Sequence, residues 1–178
     1  MEIVLSESSV VLVMKRHRRY DPEERFRYLR ELIDEFNKLE DSESFAKEQV
    51  LANLSNFCYD PSNHDNLHKL DLIPLLLHQV QNGSEKLAEF AAKGLCNLAA
   101  NPKSIEIIKK AGGKDIVEVC LYRESEPLVI SILYILLMLK VSTDELNQKI
   151  EQRLQTLSQS SSKRISNLAE ILLENLRR

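Results

Sequence analysis

Apolar and polar residues alternate at helical spacing through residues 45–63, FAKEQVLANLSNFCYDPSN, where Val50, Leu51, Leu54 and Phe57 share one helical face. Asp60-Pro61 closes that helix and opens another, because an aspartate can cap free amides and proline fits the first helical position. Forty-one residues later EFAAKGLCNLAANPKS repeats the pattern without a gap. Val50 matches Ala91, Leu54 matches Leu95, Asn56 matches Asn97, Phe57 matches Leu98 and Pro61 matches Pro102. The register holds through Leu67 with Ile108, Leu75 with Ile116 and Leu76 with Val117. A period near forty built from helices alone predicts an α-solenoid, whose units bury their apolar faces only by stacking on neighbours.

The ordered domain is expected over residues 21–178, opening at Asp21-Pro22-Glu23-Glu24. An aspartate cap, a proline and two acids in the first turn make a strong helix start. Phe26, Leu29, Leu32, Ile33, Phe36 and Leu39 form its apolar stripe, and a polar opposite face suits a capping helix. Further helices are predicted over 45–59, 61–70, 72–81, 86–100, 102–112, 114–122 and 126–140. The third long helix keeps the offset, with Leu95 passing to Leu136 and Leu98 to Leu139. Ser142-Thr143-Asp144-Glu145 then has the form of a capping box. Leu146, Ile150, Leu154 and Leu157 mark a helix whose short predecessor is poorly separated from it, and Ser158–Ser162 reads as a loop. In the last helix Ile165, Leu168, Ala169, Leu173 and Leu176 restore the pattern of Leu87, Phe90, Ala91, Leu95 and Leu98, with Asn175 at the place of Asn97. The count is one incomplete unit and three units of three helices.

Composition narrows the function. With 178 residues the chain is one domain, and 4 glycines and 5 prolines leave little room for the turns of a β fold. A net charge of −3 argues against holding nucleic acid by bulk electrostatics. Residues 1–20 share nothing with the repeat and are expected to be a flexible extension. Its basic cluster Lys15–Arg19 leaves a nuclear address or a phosphate contact open. Acidic residues precede the apolar string Val10–Val13 and basic ones follow it, the wrong polarity for a secretory signal. No apolar run reaches membrane-spanning length, so a cytosolic or nuclear protein is expected. Cys58, Cys96 and Cys120 are an odd, widely spaced set among apolar residues, expected to be buried thiols without disulfide or zinc roles.

Catalytic patterns are weak. His64-Asp65 and His68 resemble H-E-x-x-H, but the third ligand is missing and Asp65 stands where the metalloprotease base would be glutamate. Two surface histidines near a helix start are the expected state. No nucleophile elbow, P-loop or dinucleotide fingerprint occurs.

Asn56 and Asn97 stand in the setting L-x-N-[FL] near the ends of successive long helices, where the chain resembles the armadillo-repeat family. The resemblance implies an all-α, right-handed armadillo-type solenoid of about three repeats behind an N-terminal capping helix. In that family the third helices line a concave groove, and asparagines at this position bond the backbone of an extended peptide. An amide suits that task because it offers a donor and an acceptor; bonding backbone within its own repeat is the structural alternative. Importin-type grooves place tryptophan one turn earlier, where this chain has Ala52, Lys93, Tyr134 and Ile171, and Met138 replaces the third asparagine. The expected lining is therefore Gln49, Asn53, Asn56, Lys93, Asn97, Tyr134 and Met138, with more apolar and fewer cationic anchors than a receptor for nuclear-localisation signals would take. The strings AKEQVLANLSNFCYDPSN and GLCNL, the turn at Ala111–Gly113 and NLAEILLENL extend the resemblance over residues 21–177, to a group of small armadillo proteins. That group implies a nuclear, non-enzymatic adaptor without cofactor, metal or membrane. Its expected protein partner is of the kind of RNA-binding motif protein 48, in minor-spliceosome splicing, with RNA reached only through that partner. Two alternatives stay open: direct RNA binding through Lys15–Arg19 and Lys163-Arg164, or an armadillo peptide scaffold outside splicing.

Overall fold

A computed structural model of the chain describes residues 21–141 and 148–177. The expectations for residues 1–20, for the capping box at 142–145 and for Leu146 lie outside the described residues.

Helix α1 spans Pro22–Lys38, with the Asp21 carboxylate accepting from the Glu23 amide at 3.1 Å. It buries Leu29, Leu32, Ile33 and Phe36 and leaves a charged outer face, as suits a helix packed on one side among the described residues. A single 3₁₀ turn at Asp41–Glu43 leads into α2, Ser44–Phe57. Phe57 meets Tyr28 of α1 edge-on, the rings 5.5 Å apart. Then follow a 3₁₀ turn at Pro61–Asn63, α3 (His64–Lys69), α4 (Leu72–Asn82), α5 (Glu85–Leu98), α6 (Pro102–Lys110), α7 (Gly113–Cys120), α8 (Glu126–Leu139), α9 (Gln148–Ser158) and α10 (Lys163–Leu176). No strand occurs among the described residues. Of the last unit, α9 and α10 are the two helices described.

The cap-plus-proline device recurs. Asp60 accepts from the Ser62 amide at 3.0 Å, and Asn101 accepts from the Lys103 amide at 2.9 Å. Between the first and second helices of successive units the backbone turns through the left-handed region, at Asp71 (φ 51°) and Gly112 (φ 71°). These two corners are forty-one residues apart, so the repeat is written in backbone geometry as well as in side chains.

The long helices α2, α5, α8 and α10 pack in sequence order, with α4 and α7 behind them. Equivalent positions stitch the row together: Ser55 Oγ donates to Phe90 O at 2.6 Å, and Cys96 Sγ donates to Ser131 O at 3.3 Å. Gly94 lets α5 approach α2, since a Cβ there would stand 3.1 Å from Ser55 Oγ and 3.2 Å from Leu76 Cδ1. One apolar core runs from Leu29 to Leu176. Helix α8, PLVISILYILLML after Glu126, is apolar nearly all round because α5, α7 and α10 cover it. No helix among the described residues is long and apolar enough to cross a membrane.

Candidate functional site

All seven residues expected to line a groove stand on the long helices: Gln49, Asn53 and Asn56 on α2, Lys93 and Asn97 on α5, Tyr134 and Met138 on α8. Gln49, Asn53, Asn56 and Lys93 are exposed, while Asn97, Tyr134 and Met138 are half-buried. Asn97 Nδ2 donates to Ser55 O at 3.2 Å. This amide therefore reaches neither loop backbone nor its own repeat, but the preceding long helix, beside Asn56. One of its hydrogens is committed to holding α5 on α2, and its carbonyl oxygen keeps accepting capacity.

Between α5, α8 and α10 lies an open cavity of about 480 Å³, lined by Cys96, Asn97, Ile130, Ser131, Tyr134, Arg164 and Leu168. It brings Asn97 and Tyr134 together. Gln49, Asn53, Asn56, Lys93 and Met138 are not among its lining. Asn53 has the register of Gly94, the position that faces the preceding unit. Among the described residues α1 alone precedes α2, and Asn53 remains exposed at that edge. Cys96, Ile130, Ser131, Arg164 and Leu168 also line the cavity and were not among the expected lining. Repeat register carried a signal for two of them, since Ser131 and Leu168 occupy the position of Gln49 and Phe90.

The charges on this wall are unevenly satisfied. Lys86 pairs with Glu89 at 2.8 Å, and Ser125 Oγ donates to the same carboxylate at 2.6 Å. Burial alone would raise the Glu89 carboxyl, but these two hydrogen bonds and the Lys86 charge outweigh it and hold it below the ordinary glutamate range. Lys93 and Arg164 have no ion-pair partner among the described residues, and no carboxylate lines the cavity. Burial pushes the Cys96 thiol up to about 12, so it is no nucleophile near neutral pH.

The histidine pair is placed differently from expectation. His64 is buried, 3% exposed, rather than on the surface. Its Nε2–H donates to Cys58 O at 2.8 Å, and its Nδ1 accepts from Asn101 Nδ2 at 3.3 Å. Both nitrogens are thereby engaged, and the ring ties α3 to the following unit. His68 Nε2 lies 2.7 Å from Ser104 Oγ, and Asp65 is 3.3 Å from Lys103. The residues of the H-x-x-x-H spacing are thus occupied with an inter-repeat seam. Among the described residues no group of three or more His, Cys, Asp or Glu side chains could hold a metal ion.

No family model matches the chain. Over 72 residues it is 46% identical to armadillo repeat-containing protein 7 of Mus musculus, a match covering 40% of this chain and 35% of that protein. The chain thus spans about a third of the length of the curated relative it matches. Among solved structures, a designed armadillo repeat protein superposes with a TM-score of 0.69 at 19% identity, covering 83% of this chain and 64% of that one. A designed armadillo repeat protein in complex with the peptide (KR)4 gives 0.64 at 16% identity, again over 83% and 64%. A third, a computationally designed armadillo repeat protein for modular peptide recognition, gives 0.66 at 16% over the same shares. At such identities the likeness establishes the fold, an armadillo-type α-solenoid.

Proposed function

We propose that this chain is a non-enzymatic adaptor that holds an extended segment of a protein partner along its row of long helices. The observation that carries the reading is the gathering of Asn97 and Tyr134 at one open cavity, with Asn56 beside the Ser55 carbonyl that Asn97 grips. Amides on successive helices can hold a peptide backbone without reading its side chains, and an aromatic wall accepts an apolar anchor. Support for a peptide ligand comes from related folds, designed armadillo proteins made for peptide recognition or bound to (KR)4. On its resemblance to armadillo repeat-containing protein 7, over 72 residues, we extend the proposal to a nuclear setting. In it, the partner is RNA-binding motif protein 48 or a close equivalent, the process is minor-spliceosome splicing, and the partner supplies the RNA-binding surface.

Because Asn97 also joins two repeats, Asn56→Ala with Lys93→Ala is the better test of the wall: both side chains are exposed, and Asn56 makes no side-chain hydrogen bond among the described residues. Titration of purified chain into purified RNA-binding motif protein 48 should give a complex that this double variant weakens by about tenfold or more, the scale of one or two contacts. Its melting temperature should stay unchanged. Absence of a complex would remove the named partner, and a complex indifferent to the double variant would remove the wall as the site.

A further inference from the structure

We infer that the cavity between α5, α8 and α10 selects an acidic, apolar stretch of extended polypeptide: a bulky aliphatic or aromatic side chain against Tyr134 and Leu168, with a carboxylate on Arg164. The inference rests on the wall being the binding surface and adds the chemistry of what it takes.

Three observations converge. The cavity's floor is apolar, supplied by Ile130, Tyr134 and Leu168, so a side chain that fills it gains by leaving water. Its rim carries the Arg164 guanidinium, exposed and without an ion pair among the described residues. Lys93 on the neighbouring α5 is likewise exposed and has no ion-pair partner there. Of the acids on these helices, Glu89 is held by Lys86 and Ser125, and Glu126 at the start of α8 accepts from Ser162 Oγ at 2.8 Å; neither lines the cavity. A lysine-rich peptide would meet two like charges and no carboxylate in the cavity lining, whereas an acidic one would meet a planar fork suited to bidentate pairing. Helices about 10 Å apart and a strand rise of about 3.3 Å give roughly three ligand residues per repeat. The carboxylate should therefore lie about three residues or more from the backbone held at Asn97. Nucleic acid would also welcome the cations, but a floor with one aromatic ring and two aliphatic side chains suits a protein side chain better than stacked bases.

Fluorescence polarisation with labelled octapeptides tests this on the full chain at about 0.1 M salt. The peptides alternate leucine with glutamate, glutamine or lysine. The glutamate peptide should bind about tenfold tighter than the glutamine one, the size of one charge-assisted hydrogen bond, and the lysine peptide more weakly than either. Arg164→Glu should abolish or reverse that order. It leaves the fold intact because the position is exposed and a carboxylate is favoured in the first turn of α10; circular dichroism checks this. Equal or reversed affinities in the wild type, or a preference that survives Arg164→Glu, overturn the inference. So does an oligouridine that displaces the glutamate peptide with steep salt dependence, which would assign the cations to RNA. If RNA-binding motif protein 48 responds to Asn56→Ala with Lys93→Ala but not to Arg164→Glu, the charge preference falls and the wall stands. If no peptide binds and neither substitution affects that complex, both fall.

Discussion

At the residue scale, function and stability share side chains. Asn97 spends a hydrogen on Ser55 O, so its groove role and its structural role are not separable by deletion. His64 and His68 show how long-range packing changes a motif's meaning: a spacing that resembles a metal site becomes a hydrogen-bonded seam against Asn101 and Ser104. The burial of His64 was not legible in sequence, because it depends on a partner thirty-seven residues away. The seam makes a pH prediction. Burial, then the nearby Lys103 charge and His64, lower the His68 pKa below 6.5, with Asp65 opposing. The unfolded chain therefore binds the proton first as pH falls. The stability contributed by neutral His68 is complete above about pH 6.5 and is lost as pH drops through the folded-state value. Thermal melts at pH 7.5 and pH 5.5 should show a larger loss for the wild type than for His68→Gln, which cannot titrate there. Parallel losses in both proteins would remove His68 from the acid response.

At the element scale most of the architecture was readable. Asp21-Pro22, Asp60-Pro61 and Asn101-Pro102 announced helix starts that the caps confirm, and the forty-one-residue register placed α2, α5 and α8 side by side. The cavity was less readable because α10 follows α8 at a spacing of thirty-seven, not forty-one: Leu168 keeps the register of Phe90, but Arg164 falls on that of Lys86, outside the positions from which the lining was drawn. The turn at Ala111–Gly113 was legible, but its counterpart at Asp71 was not, since an aspartate before a helix looks like a cap until its φ of 51° is known. A non-glycine residue in that region is strained unless short and polar, by about 1–2 kcal/mol. Asp71→Val should accordingly lower the melting temperature by about 2–8 °C for a domain of this size. Asp71→Gly should change it little, because the short aspartate already tolerates this region and glycine's ease there is offset by its greater freedom in the unfolded chain. Equal melting of the two variants would mean the corner carries no strain.

At the scale of the whole molecule the chain is a short armadillo-type solenoid whose row of long helices gives equivalent residues a common side. Inter-repeat bonds from Ser55, Cys96 and Asn97 hold that row in register. The helices behind it expose Val119 and Tyr122, where Tyr122 is engaged with Arg153 and the Lys149 carbonyl. A photo-reactive phenylalanine analogue placed at position 134 or at position 122, irradiated with the bound partner, tests most directly which side binds. Cross-linked partner peptides should come from position 134, clustered in one acidic, apolar segment, with little product at position 122. Cross-linking confined to position 122 would contradict the account.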